Sequence, residues 1–500
     1  MCEKNNLTSS KSEVHKCALC FNAPCKKIYK NIDPERIIRA IKFENIKGAR
    51  TLIDDVNNCH DKNNNCSDKC PLNIDIDMIL DNLIKNTSKV ENFNNIDIST
   101  KICGVKLENP FMLSSSIVGS TYEMCKRAFE QGWGGICTKT ISAMPIDESS
   151  PRFSALKDWD ETFIGFKNIE QLSEYSVEKN MEMIKKLKSE FPNKVIIASI
   201  MGRDDKEWEY LTKEVTKAGA DLIELNFSCP NMKHKGTGTD VGQNSDLVEE
   251  YTKVVRNSTN LPILAKMTPN ITDIKIPAIA AKKGGANGIS AINTIKSITN
   301  IDIDSLVPEP VVNGKSSLGG YSGRAIKPIG LRFIAEMTNN EELKDLFYSG
   351  IGGIYTWKDA LEYMLLGCTS VQLTTAVMEY GNRIIDDLIL GLKIFMKENN
   401  YTKVSDFIGQ SKNNLINNSK LDKDTIEFPS FDYNECIGCG RCYISCKDGG
   451  HHAIKFDENR KPILDGSKCV GCGLCRLVCP KHAIKKSLKR VAKENLKSIK

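Results

Sequence analysis

No stretch of this chain approaches the run of about 18 apolar residues that a membrane helix needs. The opening residues, MCEKNNLTSS, lack the apolar core of a secretory leader. Neither a membrane-spanning nor a secreted protein is expected, and the cytoplasm is the expected compartment. Excess charge is also scarce: 69 Lys and Arg against 63 Asp and Glu leave +6 over 500 residues. That field is too mild to recruit nucleic acid. The basic stretch from Lys485 to Lys500 reads instead as a solvated terminal helix. One nucleotide signature is missing too. No G-x-G-x-x-G stands between a strand and a helix, and GTGTDVG (236–242) lies in loop context.

Cysteine, by contrast, is abundant, with 20 residues. Without a leader these read as metal ligands in a reducing compartment rather than as disulfides. Cys436, Cys439, Cys442 and Cys446 stand as C-x2-C-x2-C-x3-C, and Cys469, Cys472, Cys475 and Cys479 repeat the spacing, followed by Pro480. Structural zinc sites use C-x2-C pairs with long spacers, not such triplets. The pattern is that of two [4Fe–4S] clusters, in which the fourth cysteine of each run ligates the other cluster. Cys436, Cys439, Cys442 and Cys479 then form one set, and Cys469, Cys472, Cys475 and Cys446 the second. Lys447 stands where proline often follows the first run, which alters local geometry but not the ligand count.

The composition, 40% hydrophobic and 26% charged, is ordinary for a globular protein. Four segments are expected: a Cys-bearing helical block (1–98), an α/β block (99–410), an Asn- and Lys-rich linker (411–428), and the ferredoxin-like domain with its tail (429–500). The α/β block carries eight apolar runs, near Phe111–Leu113, Gly135–Thr138, Val195–Ile200, Leu222–Phe227, Pro262–Met267, Gly288–Ile292, Leu346–Ile351 and Ser370–Leu373. Most of the gaps hold an amphipathic helical pattern, which predicts a (β/α)8 TIM barrel. The gaps before the third and seventh runs are long enough to hold extra loops over one mouth.

Nearly every run ends in polar or small residues, which a packed core does not want. They are Ser114 and Ser115, Lys139, Asn226, Lys266, Asn293 and Thr294, Gly352 and Gly353, and Thr374 and Thr375. Barrel active sites sit at these strand ends, often with phosphate held after strands seven and eight. SGIGGI and QLTTAV supply glycines and hydroxyls there, so a mononucleotide, FMN, fits better than a dinucleotide. Lys139 and Lys266 would face negative charge on a reduced flavin. Cys229, alone in NFSCPN, has no spacing partner for a cluster; its place in a mouth loop points to a proton donor. His234, five residues on, reads as a solvated loop histidine.

The segments LENPFMLSSS, GGICTKT, FKNIE, ELNFSCPN, LAKMTPNITDI, SAINT, YSGRAIKPIGLR and SGIGG together resemble the dihydropyrimidine dehydrogenase branch of the dihydroorotate dehydrogenase-like flavoproteins. The resemblance runs from about Lys101 to Cys479. It implies that FMN exchanges hydride at C6 of uracil or thymine while a cysteine, here Cys229, exchanges a proton at C5. It implies that Asn168, Asn226, Asn293 and Thr294 hold the pyrimidine. Ser114, Ser115, Lys139, Lys266, Gly323, Gly352, Gly353, Thr374 and Thr375 would contact FMN. Asparagine amides both donate and accept, as the edge of a neutral pyrimidine requires. Glu170, two residues after Asn168, argues against the carboxylate of orotate. Dihydroorotate oxidation and a non-catalytic electron-transfer subunit are the alternatives.

Cys17, Cys20 and Cys25 resemble the start of the helical iron–sulfur domain of the longer members, with Tyr29 and Lys30 where C-P would follow. A partial second copy carries Cys66, Cys70 and Pro71. Either a third cluster forms from Cys17, Cys20, Cys25 and one of Cys59, Cys66 or Cys70, or the block is an empty remnant. A ferredoxin module without a dinucleotide site implies an electron-donating partner, an NAD(P)H- and FAD-binding subunit or a free ferredoxin. An oligomer is also expected.

Overall fold

A computed structural model describes residues 8–29, 32–53, 69–158, 161–232 and 236–493. Cys59, Cys66 and His234 lie outside them. The chain divides into two compact units, Met1–Lys412 and Asn413–Lys500.

The eight apolar runs are the eight strands of a closed parallel barrel: Phe111–Leu113, Gly135–Cys137, Val195–Ile200, Leu222–Asn226, Ile263–Lys266, Gly288–Ala291, Phe347–Ile351 and Ser370–Leu373. Neighbours in sequence are neighbours in the barrel, and Val371 pairs with Phe111 to close it. Most of these strands are buried along their whole length, which is why they read as continuous apolar runs rather than alternating ones. The intervening helices start where the sequence caps them. Thr121 accepts from Met124 N (3.2 Å), Asp204 accepts from Glu207 N (3.0 Å), and Thr356 forms a capping box with Asp359.

The two mouths differ. A hairpin of Thr100–Ile102 and Val105–Leu107 sends Ile102 and Leu107 against Met112, Val195, Ile197, Leu222 and Leu264, which seals the N-terminal end with apolar packing. Over the opposite mouth, the two long gaps supply a four-stranded antiparallel sheet. Its order is Ile295–Ser297, Gly319–Ser322, Phe163–Asn168, Phe153–Lys157.

The N-terminal helices pack onto the barrel unit. Helix Pro34–Lys42 places Arg39 Nε 2.6 Å from Asp387 Oδ2, on helix Ile384–Glu398, with both residues buried. Asn45 Nδ2 donates to Asp387 O at 3.2 Å. Among the described residues, no helix is long and apolar enough to cross a membrane.

The second unit corrects the reading of the tail. Ile484–Ala492 is a strand, not a helix, and it pairs antiparallel with Thr425–Phe431, which begins inside the expected linker. The basic side chains find cross-strand anions, Lys485 with Asp432 (3.0 Å) and Arg490 with Asp422 (3.2 Å). Such long-range pairing overrides local composition.

Candidate active site

Seven barrel strands present their C-terminal ends to one cleft beneath the antiparallel sheet. Ser114 and Ser115 follow the first strand, and Lys139 follows the second. Asn226 ends the fourth, with Cys229 in the loop beyond, and Lys266 ends the fifth. Asn293 and Thr294, Gly352 and Gly353, and Thr374 and Thr375 follow the sixth, seventh and eighth. Asn168 and Gly323 come from the covering sheet. Every barrel residue proposed from sequence lines this cleft, whose volume is about 1010 Å³ including space open to solvent.

One side has the makings of a phosphate cradle. Gly353 has φ 68°, and a Cβ there would stand 2.7 Å from Lys327 N, so no other residue fits this close turn. Hydroxyls gather beside it: Ser322 Oγ lies 2.9 Å from Thr375 Oγ1, and Ser116 Oγ 3.0 Å from Thr374 Oγ1. Two buried lysines reach into the cleft. Lys266 Nζ donates to Ser114 Oγ (3.3 Å), and Lys139 Nζ stands 3.3 Å from Glu170 Oε1 and 3.6 Å from Glu148 Oε1. A glycine cradle, hydroxyls and two ammonium groups suit a phosphate-bearing flavin that gains negative charge on reduction.

The amides are held in fixed orientations. Asn226 Nδ2 donates to Thr140 Oγ1 (2.8 Å), and Ser228 Oγ donates to Asn226 Oδ1 (3.0 Å). Asn293 Nδ2 donates to Ser228 Oγ (2.8 Å), while Asn168 Nδ2 donates to Gly320 O (3.3 Å). Asn231 Nδ2 donates to Glu170 O at 2.8 Å and lies 3.4 Å from Asn168 Oδ1. Cys229 is buried among Met144, Leu172 and Met201. Burial pushes its thiol up to about 11, opposed by the Asn231 N–H and reinforced by the charge of Glu148. At neutral pH it is therefore a thiol, able to give a proton.

The cysteine runs fold as paired copies. Gly438 and Gly440 have φ 66° and 79°; Gly471 and Gly473, at the same places in the second run, have 70° and 77°. Cys436, Cys439, Cys442 and Cys479 line one small cavity. The Cys469 thiol is held above its usual range, first by burial and then by the neighbouring charges of Cys472 and Cys446. Backbone N–H groups point at sulfur, Ala453 N to Cys446 Sγ at 3.2 Å and Gly471 N to Cys469 Sγ at 3.4 Å. In the N-terminal block, Cys17, Cys20, Cys25 and Cys70 line a common cavity with Glu35 and Pro71.

Comparison with known proteins fits this architecture. The profile described as Dihydroorotate dehydrogenase matches residues 97–396, and that of a 4Fe-4S dicluster domain matches residues 430–486. The chain belongs to the dihydroorotate dehydrogenase family. It is 51% identical over 385 residues to the NAD-dependent dihydropyrimidine dehydrogenase subunit PreA of Escherichia coli (strain K12), covering 77% of this chain and 94% of that protein. The chloroplastic dihydropyrimidine dehydrogenase (NADP(+)) of Arabidopsis thaliana is 40% identical over 63% of this chain and 77% of its own length. The catalytic subunit of dihydroorotate dehydrogenase B (NAD(+)) of Pyrococcus abyssi is 36% identical over 62% and 98%. Within the family, this chain is an iron–sulfur oxidoreductase of the dihydropyrimidine dehydrogenase kind.

Several residues of this family site were not singled out from sequence. In the sequence Asn231 marks only the far end of the mouth loop that carries Cys229; its amide contacts come from the fold. Glu148 and Glu224 had no sequence signal: each becomes meaningful only through the lysine it meets in the fold. Glu170 is not a bare charge either. Arg152 Nη1 and Lys139 Nζ approach it at 3.4 and 3.3 Å. Local charge still leans negative: among the described residues, Glu148, Glu170 and Glu174 form their ion pairs with Lys139 and Arg152.

Proposed function

We propose that this chain interconverts uracil or thymine with the 5,6-dihydro forms, using FMN in the barrel cleft and clusters at the cysteine sites. The observation that carries the reading is Cys229: a buried thiol on the same cleft as the fixed amides of Asn168, Asn226, Asn231 and Asn293. When bound, FMN supplies hydride exchange at C6. The chain does the rest. Asn168, Asn226, Asn293 and Thr294 read the alternating donors and acceptors of the pyrimidine edge. Cys229 Sγ holds the proton that passes to C5 and takes it back in the reverse direction. Ser114, Ser115, Gly323, Gly352, Gly353, Thr374 and Thr375 seat the flavin, with Lys139 and Lys266 facing its charge. The excess of carboxylates around Lys139 disfavours a substrate that brings another, which ranks uracil and thymine above orotate.

Iron would be held by two C-terminal sets, Cys436, Cys439, Cys442 with Cys479, and Cys469, Cys472, Cys475 with Cys446. A third set, Cys17, Cys20, Cys25 and Cys70, is supported by their shared cavity. Anaerobic purification followed by iron, sulfide and flavin counts tests the inventory: FMN and about 12 irons per chain are expected, falling by about four in Cys70→Ser. Uracil, thymine and orotate are assayed on the same sample. Faster turnover of dihydroorotate than of dihydrouracil would overturn the substrate reading.

A further inference from the structure

Glu224 is a buried acid that the proposed chemistry does not use. It lies on the fourth barrel strand opposite Leu264, one layer deeper than Asn226, which pairs with Lys266. Its side chain is fully buried, inside a barrel that is otherwise filled mainly by apolar and hydroxyl side chains. Four other strands each send it one partner. Ser290 Oγ donates at 2.7 Å, Gln372 Nε2 at 3.4 Å and Cys137 Sγ at 3.4 Å, and Lys266 Nζ stands at 3.4 Å. Of these, Lys266 and Gln372 reach the cleft. A carboxylate in such a place is costlier than an apolar side chain of the same size, so packing alone does not account for it. Among the described residues its cationic partner is Lys266.

We propose that Glu224 is a positioning residue that holds Lys266 as a fixed ammonium against the flavin before electrons arrive. This rests on the reading of the cleft as an FMN site. The groups around Lys266 are Glu224 itself, the Ser114 hydroxyl, and the thiols of Cys137 and Cys229, both pushed up by burial. Lys139, the other cation of the cleft, is matched by Glu148 and Glu170. Glu224 is thus the carboxylate placed to keep Lys266 charged while the flavin is oxidised and neutral.

The consequence is a proton count. With Lys266 already charged, reduction brings two electrons and one proton to the flavin: an N–H bond forms at N5, and one negative charge remains on the ring. With glutamine at position 224, the ammonium is buried without a carboxylate, and burial favours the neutral amine. The same two electrons then draw a second proton, which forms an N–H bond at Lys266 Nζ once the ring charge appears. In both cases dithionite is the reductant and is oxidised to sulfite.

The test is the pH dependence of the flavin midpoint potential of the holoenzyme, equilibrated with a redox dye and dithionite between about pH 7 and 9. Wild type is expected to take up one proton per two electrons, and Glu224→Gln two. Glu224→Asp keeps a carboxylate and stays near one; Glu224→Gln combined with Lys266→Met returns to one. A single proton in Glu224→Gln with FMN retained overturns the proposal while leaving the FMN reading intact. Wild-type protein that holds no FMN overturns the FMN reading and this proposal with it. If Glu224→Gln releases its flavin, urea unfolding of the apoprotein decides. The double variant should have an unfolding equilibrium constant at least about tenfold smaller than Glu224→Gln alone, because no amine is left buried without its carboxylate partner. Equal constants overturn the proposal.

Discussion

Cys229 is where one atom carries the most consequence. A positioned acid contributes about 10² to 10⁴ in rate. Cys229→Ala is therefore expected to lose turnover by that factor while pyrimidine binding is nearly unchanged; Cys229→Ser keeps partial activity. The sign of the pH effect follows from the thiol held up to about 11 by burial. A donor is competent below its own pKa and lost above it, so pyrimidine reduction should stay level through neutral pH and fall only at strongly alkaline pH. Steady-state kcat against pH checks both points. A near wild-type rate in the alanine variant would remove Cys229 from the chemistry. This residue was legible because NFSCPN interrupts an apolar run with polar side chains at a strand end. Glu148 and Glu224 were not legible, because a single acidic residue in a sequence carries no mark of the lysine it will meet.

At the scale of elements, all eight barrel strands could be read because both faces of each are buried and the runs stay apolar. The covering sheet could be anticipated only as extra length. Phe153–Lys157 is short and mostly half-buried, and its partner Phe163–Asn168 pairs in turn with Gly319–Ser322, which arrives from the gap after the sixth barrel strand. Lys167 holds that sheet to its own loop. It is fully buried, and its Nζ donates to Ser317 O at 2.8 Å and to Glu309 O. Burial pulls its pKa down, opposed by Glu309. Lys167→Met leaves two carbonyls without a donor, each worth about 1–3 kcal/mol when buried. The 298–318 segment should then be cut faster in limited proteolysis. KM for pyrimidine should rise, because Asn168 is the next residue on the same strand. Unchanged cleavage would show that Lys167 is not the tether.

For the molecule as a whole, the N-terminal block is fastened to the barrel by a charge pair that neither segment reveals alone. Arg39 and Asp387 stand 348 residues apart in sequence and 2.6 Å apart in space, with Glu35 on the other side of Arg39. Breaking a buried pair from one side costs about 3–5 kcal/mol. Arg39→Met should therefore destabilise the whole Met1–Lys412 unit by that order in urea unfolding, and Arg39→Met with Asp387→Leu should recover much of it. Truncating the N-terminal helices is expected to weaken the barrel for the same reason. A variant with wild-type stability would mean that the pair is not what joins them.

Electron supply is set at this same scale. The chain carries no strand–turn–helix phosphate fingerprint for a dinucleotide. What it does carry, over residues 430–486, is a match to a 4Fe-4S dicluster domain, and such clusters pass electrons singly. A two-electron reaction at the flavin fed through one-electron centres needs a donor that delivers electrons to iron rather than hydride to the barrel. The Escherichia coli relative is itself named a subunit. The purified chain is therefore expected to reduce uracil with dithionite or a reduced viologen and to be inert with NADH or NADPH alone. NADH-dependent turnover should appear only when a flavoprotein able to accept hydride and release single electrons is added. Cysteine-to-serine changes in the C-terminal runs should abolish that coupled rate. They should leave substrate-driven bleaching of the flavin by dihydrouracil intact, because that half-reaction needs only the barrel. Sustained NADH oxidation by the chain alone would place a nucleotide site within these 500 residues and remove the need for a partner.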